Sequence, residues 1–374
     1  MKAFLYRYLT ILDRYIIKKY LGTFIFTLLI VITISVVFDI SEHLDNFLTH
    51  NRSFFEIARY YMGFIPFFLD MLSPLITFLA VIFFTAKMAN QTEIVPILSS
   101  KASFMRFLRP YFITATLIFI VSLIGKIYII PYTNQIKVSF ENENGFNGEF
   151  NVKNEVHLQL DKNTYVYVQS FDKFSKTGYQ FVLEKFDGDY MKERIVANSI
   201  WYDSVKTSKR PNAALKIWNM RDYSVRYVSG MKEKLVMNLN KDTTLNMQPS
   251  DFELISNTYS AMALSELNKR IKQEEIRGSG DLKDMLFEKY RRFIYPFAAF
   301  VLTAIGVSIS SRRVRGGIGM PLGIGLFLCF AYIVVDKFAL VFAIKGGLSP
   351  FIATLIPNAL FGLIGLYLLY KAPK

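Results

Sequence analysis

The chain has 374 residues, 52% of them hydrophobic and 16% aromatic, with a mean hydropathy of +0.28. The apolar residues form long unbroken blocks, which excludes an ordinary soluble domain and marks bilayer spans. A net charge of +14 does not mark a nucleic-acid binder, because the basic excess gathers in short segments between those blocks and leaves no basic face or motif over.

Residues 1–20 carry Lys2, Arg7, Arg14, Lys18 and Lys19, and Leu21 to Phe38 then runs without a charge. At about 1.5 Å per residue this run crosses most of a hydrocarbon core of about 30 Å. It is too long for a signal peptide, and Asp39, Ile40, Ser41 and Glu42 follow it in place of a cleavage site. The pattern predicts an uncleaved first span with its N-terminus inside. Residues 39–61 read as a polar, amphipathic outer segment. A second span over Met62–Ala86 is interrupted by Pro66, Asp70 and Pro74, and a third covers Tyr111–Pro131. Between them Lys87–Pro110 forms a cytoplasmic connection.

From Tyr132 to about Met285 the long apolar blocks give way to strand-like runs. These are Thr164–Gln169, Tyr179–Phe186, Arg194–Tyr202, Ala214–Trp218, Tyr223–Val228 and Lys234–Leu239. Asp187-Gly188, Arg210-Pro211-Asn212 and Ser229-Gly230 punctuate them as turns. Many short strands predict a sandwich, jelly roll or open barrel. Residues 260–292 look helical and charged, with a break at Gly278-Ser279-Gly280. Three more spans follow, Phe293–Ile309, Ile318–Ala343 and Leu348–Tyr370, with Arg312, Arg313 and Arg315 between the first two of them.

The expected fold class is therefore a membrane α-helical protein with six transmembrane helices, three plus three, and an inserted all-β, jelly-roll-like domain. Residues 1–131 form the first half, 132–285 the β-domain with a helical connector, and 286–374 the second half. The inner segments hold 14 Lys and Arg against two acids, Asp13 and Glu93, whereas the short outer ones hold Arg52, Arg59 and Lys345. The positive-inside bias then places both termini in the cytoplasm and the β-domain outside.

No motif for chemistry is present. The chain lacks G-x-x-x-x-G-K-[ST], H-E-x-x-H and G-x-S-x-G, and Gly316-Gly317-Ile318-Gly319 reads as close packing or an elbow. The lone Cys329 forms no internal disulfide, and His43, His50 and His157 have no metal-ligand spacing. No cofactor is expected, and energised work would need ATP hydrolysis in a separate subunit.

Two groups of residues stand out. On the inner face, Asn90 or Thr92 is placed to cap a short helix within about 88–101, with Glu93 favoured in its first turn by the helix dipole. Such a helix is either a partner-docking element or an ordinary connector. Within or beside the spans lie Asp70, Lys126, Lys289, Arg291, Arg292, Asp336 and Lys337. Intramembrane charge is costly and suggests function. The outer-level cations suit an anionic phosphate ligand. Alternatively Lys126 and Lys337 snorkel, and Asp70 pairs with a neighbouring cation.

This layout resembles the YjgP/YjgQ permeases, LptF and LptG, of the lipopolysaccharide exporter, over essentially the whole chain. The residues that carry the likeness are Leu12-Asp13-Arg14-Tyr15-Ile16, the Pro66 to Pro74 pair, Asn90-Gln91-Thr92-Glu93-Ile94-Val95, and Tyr290-Arg291-Arg292-Phe293 with Pro296. The resemblance implies a bacterial inner-membrane permease that pairs with a second LptF- or LptG-like subunit around a cavity for lipopolysaccharide. It also implies a cytoplasmic LptB-like ATPase dimer that drives the coupling helix, with Glu93 as its acidic contact. An LptC-like periplasmic protein would receive the lipid. Two departures stand beside it. Phe38-Asp39-Ile40-Ser41-Glu42-His43-Leu44-Asp45 is acidic where relatives tend to be basic, and Lys126 falls where an acid is expected. The competing reading is a membrane-anchored scaffold or sensor whose β-domain binds a protein partner without moving lipid.

Overall fold

The computed structural model describes residues 10–49, 52–100, 103–143, 155–172, 175–203, 216–252, 259–277, 282–311 and 317–371. Among the expectations above, Lys2, Arg7, His50, Arg210-Pro211-Asn212, Gly278-Ser279-Gly280, Arg312, Arg313, Arg315 and Gly316 lie outside the described residues. The chain divides into two compact units. One comprises Met1–Asn144, Ser260–Leu264 and Lys283–Lys374, and the other Gly145–Tyr259 and Ser265–Leu282.

The first unit is helical. Helix α1 spans Ile11–Thr49, α2 Phe54–Met71, α3 Ser73–Asn90, α4 Ile94–Ser99 and α5 Phe104–Ile124. A π-helical turn at Gly125–Ile129 leads from α5 directly into α6, Ile130–Glu143. After the inserted unit come α7 (Leu264–Arg277), α8 (Leu282–Ile294), a 3₁₀ turn at Tyr295–Phe297, α9 (Ala298–Ser310), α10 (Gly319–Ile344) and α11 (Pro350–Tyr370). Six helical stretches among the described residues are long and apolar enough to cross a membrane, three before the insert and three that begin at Leu282.

The span count agrees with the sequence reading; several boundaries do not. Helix α1 runs on through the segment expected to be polar and separate. Asp39 does not stop it, because the hydroxyls of Tyr60 and Tyr61 donate to its two carboxylate oxygens at 3.1 and 2.9 Å. The capping box of α2, Ser53 with Glu56, starts a second helix inside that segment. The expected second span is two helices that break at Leu72, where Pro74 opens α3. The third span starts at Phe104, capped by Ser103, so Pro110 lies inside it. Pro131 does not end that span either. The π turn just before it, with Ile130 N–H bonded to Gly125 O, widens the helix where the proline cannot donate.

Small residues set the close crossings. A Cβ on Gly63 of α2 would meet Thr133 O and the Lys137 backbone of α6, so these two helices touch main chain to main chain. Helix α3 lies at the centre, packed against α1, α9 and α10. Two apolar clusters result, one around Tyr20, Val81, Phe107 and Tyr111, the other around Phe78, Leu302, Ile305 and Tyr332.

The second unit is built on one sheet. Strands β1 (Val156–Asp161), β2 (Thr164–Asp172), β3 (Thr177–Asp187), β4 (Tyr190–Tyr202), β5 (Lys216–Ser229) and β6 (Lys232–Leu245) pair antiparallel in sequence order. This is a meander; the crossing connections that define a jelly roll are not among the described residues. Alternate side chains build one apolar face, with Leu158, Val166, Val168, Phe181, Leu183, Ile195 and Ala197 covered by Met247 and Phe252. Trp218, fully buried, donates its indole N–H to Met247 O at 3.2 Å. Two-residue turns place Gly188 and Gly230 at φ +62° and +61°, conformations that suit glycine. Of two runs read as separate strands, Ala214–Trp218 and Tyr223–Val228, the described part of the first, from Lys216 on, and the whole of the second belong to β5. Asp222, at φ 50°, lies between them without ending the strand or shifting its register.

Candidate functional site

Two polar constellations in the helical unit hold most of the residues singled out above. The first joins the start of α1, the end of α3, α4 and the start of α5. Helix α4 has six residues, shorter than the stretch expected over 88–101, and residues 88–90 belong to α3. The cause is a left-handed turn at Thr92, φ 58°. Neither Asn90 nor Thr92 caps α4. Asn90 closes α3 in helical conformation, and the Thr92 hydroxyl donates to Gln91 O at 2.7 Å. Glu93 holds the N-cap position without a side-chain cap bond. Its carboxylate instead accepts the Tyr15 hydroxyl of α1, Oη to Oε2 at 2.9 Å. Asp13, fully buried, accepts both ends of the Arg106 guanidinium at 2.8 Å, and Thr10 N–H and Oγ complete its shell at 3.0 and 2.9 Å. That fork is the bidentate geometry in which arginine binds carboxylate most strongly.

The second constellation sits where three helices lose regularity. Lys126, on the π turn, meets Asp70 Oδ2 at 2.7 Å. Arg291 meets Asp336 Oδ2 at 3.1 Å. The ring of Tyr295, on the 3₁₀ turn, lies 4.3 Å from Lys126 Nζ and 4.7 Å from the Arg291 guanidinium, within cation–π range of both. The Tyr295 hydroxyl donates to Met71 O at the α2–α3 break. Asn358 of α11 donates to Ile294 O at the α8–α9 break, and Tyr332 of α10 donates to Asn358. Broken helices in hydrocarbon need such partners for the carbonyls they release. The three breaks, at Leu72, Gly125–Ile129 and Tyr295–Phe297, are thus cross-linked by one polar layer.

This layer separates the basic candidates. The charges of Lys126 and Arg291 are balanced inside the bundle. Arg292, 2% exposed, bonds to Glu288 and Ser260 O. Lys289 is half-buried and Lys337 exposed, and neither has an ion pair among the described residues. Asp336 pairs across to α8 while Lys337 faces away from it, as their adjacency on one helix requires. Sequence reasoning gave no role to Tyr15, Tyr295, Tyr332 or Asn358. Tyr295 stood within two residues of a quoted motif, beside Pro296, but nothing local shows that an aromatic ring will lie against two cations.

A third polar group joins α1, α2 and α6. Lys137 and Glu141 pair at 2.8 Å, and the His43 ring lies 3.3 Å from Asp39. The acidic stretch noted after the first apolar run is therefore partly used internally, by the hydroxyls of Tyr60 and Tyr61.

The family profile described as lipopolysaccharide export system permease LptF/LptG matches residues 14–371. No curated protein matches the chain.

Proposed function

Because the chain belongs to the LptF/LptG family of lipopolysaccharide export system permeases, we propose that it is one transmembrane subunit of an ABC-type exporter that lifts this glycolipid out of the inner membrane. The supporting observation is the whole-chain family match on an architecture of three spans, a β-insert and three spans. Both termini and α4 face the cytoplasm, where the positive-inside bias puts them, and the sheet faces the periplasm. A separate cytoplasmic ATPase dimer meets the turn at Asn90, Thr92 and Glu93. Thr92 supplies the left-handed turn and Glu93 the charge.

The paired permease completes the cavity, and an LptC-like periplasmic protein takes the lipid onward. The apolar sheet face suits acyl chains. Of the basic candidates, Lys289 and Lys337 are the ones left to meet lipid phosphates. Lys126, Arg291 and Arg292 hold the bundle instead.

The test is site-specific photo-crosslinking in the purified complex. A crosslinker at Val166 or Leu183 on the sheet, and another at Phe26 on α1, is expected to trap lipopolysaccharide only while ATP is being hydrolysed. Absence of any lipid adduct from an ATP-hydrolysing complex refutes transport and leaves the scaffold reading.

A further inference from the structure

We infer that Tyr15 is a positioning residue for Glu93, and that α1 is fastened to both ends of the Glu93-bearing segment so that the two move as one body. The inference rests on the coupling role proposed for Glu93 above and adds the element that receives the motion.

The geometry is that of a double clamp. After α3 the chain turns at Thr92 into α4, and Ser103 opens α5. At the first end of this segment, Tyr15 holds Glu93. At the other, Arg106 in the first turn of α5 grips Asp13 through two bonds, and its Nη2 adds Thr10 Oγ at 3.1 Å. All the contributors from this side lie within residues 10–15, Thr10 just before α1 and Asp13 and Tyr15 in its first turns.

Beneath the polar bonds one apolar cluster continues the clamp. Ile16 and Tyr20 of α1 pack with Met88, Ala89, Ile94, Phe104, Phe107 and Leu108. Close-packed interiors transmit displacement because they have no slack to absorb it.

The far part of α1 is what this clamp would move. The helix has 39 residues, or about 58 Å at the standard rise. Beyond Tyr20 it exposes Ile25, Phe26, Leu29, Ile34, Val37 and Phe38. A small tilt imposed at residues 10–15 becomes a larger sweep of this apolar face.

Tyr15 uses only one oxygen of Glu93. The other, Oε1, has no hydrogen bond among the described residues, and Glu93 is half-buried. Tyr15 therefore fixes the carboxylate with Oε1 left for a cytoplasmic partner's donor. A tyrosine can do this without competing for the charge, since its hydroxyl donates one hydrogen bond and brings no charge of its own.

The experiment uses the full exporter, with its paired permease and ATPase, in proteoliposomes. Lipid delivered per ATP hydrolysed is measured for wild type, Tyr15→Phe, Glu93→Gln and the double variant. Tyr15→Phe keeps ring and packing and removes one oxygen. It is expected to lower lipid per ATP about tenfold, the loss typical of a hydrogen bond to a charged group, and to add nothing in the Glu93→Gln background. If Glu93→Gln uncouples but Tyr15→Phe does not, or if the two effects add, the inference falls and the coupling role of Glu93 stands. If Glu93→Gln is silent, both fall.

A second readout follows the clamp directly. Spin labels at Lys18→Cys and Ser99→Cys, both exposed positions, are expected to keep one separation through the nucleotide cycle. A separation that changes between nucleotide-free and ATP-bound complexes overturns the single-body claim.

Discussion

Lys126 meets Asp70 at 2.7 Å with 6% and 15% of the two side chains exposed, whereas Lys185 meets Glu193 across strands β3 and β4 at 2.9 Å with 50% and 16% exposed. The contacts are alike in length and differ in medium. In the bundle the charges have no water to return to, so each depends on its partner. On the sheet, water and salt compete with the pair at every moment. The helical unit is therefore pinned by charge at its three helix breaks, and the sheet is held by its apolar face while its charges decorate the other side.

The sharpest way to break this contrast is to remove one partner of the buried pair. Lys126→Met takes from the Asp70 carboxyl its ion-pair partner, and is expected to cost about 3–5 kcal/mol. Replacing both, Lys126→Met with Asp70→Leu, removes that carboxyl as well and should restore most of that loss. Thermal unfolding in detergent micelles checks this. Equal destabilisation in the single and double variants would show that hydrocarbon burial is not what makes the pair matter.

The sheet should answer to a different substitution. Leu183→Ala cuts the apolar face at a residue 3% exposed, and is expected to cost about 2–5 kcal/mol. The readout is unusually clean, because the chain's two tryptophans, Trp201 and Trp218, both lie in the sheet. Tryptophan fluorescence then reports unfolding of this unit alone. A shift of the fluorescence midpoint on Lys126→Met as large as that on Leu183→Ala would contradict the separation of forces.

Much of this arrangement could be read from residue order, and the part that could not has a common cause. The six spans were legible because hydrocarbon selects long apolar blocks whatever their neighbours are. The β-domain was legible from alternation, although β1 escaped notice despite Val156-His157-Leu158-Gln159-Leu160 alternating strictly. Helix ends were less legible, since they depend on distant partners. Asp39 looks like a stop until Tyr60 and Tyr61 are seen to satisfy it. The intramembrane charges announced themselves, and the possibility that Asp70 pairs with a cation was open from the start, yet which cation it takes is fixed only by the crossing of helices. Tyr15 stands in a stretch that carries the family likeness, but nothing local gives it a role, because a tyrosine near a basic N-terminal segment is ordinary until its hydroxyl is found on Glu93.

The smallest expected effect is the most discriminating. Lys185 and Glu193 stand directly opposite in register, the arrangement in which cross-strand pairs interact best. Half of the lysine side chain is nevertheless in water, so its ammonium loses little hydration and gains little from the carboxylate. Lys185→Ala should therefore move the tryptophan-monitored midpoint by no more than about 0.5 kcal/mol. Screening gives the second half of the test. In about 1 M salt, where the Debye length falls to about 3 Å, even that difference should disappear. The cost of Lys126→Met should survive the same salt, because mobile ions do not enter the packed bundle. A salt-resistant loss at Lys185, or a salt-sensitive one at Lys126, would mean that exposure does not divide these two pairs by mechanism.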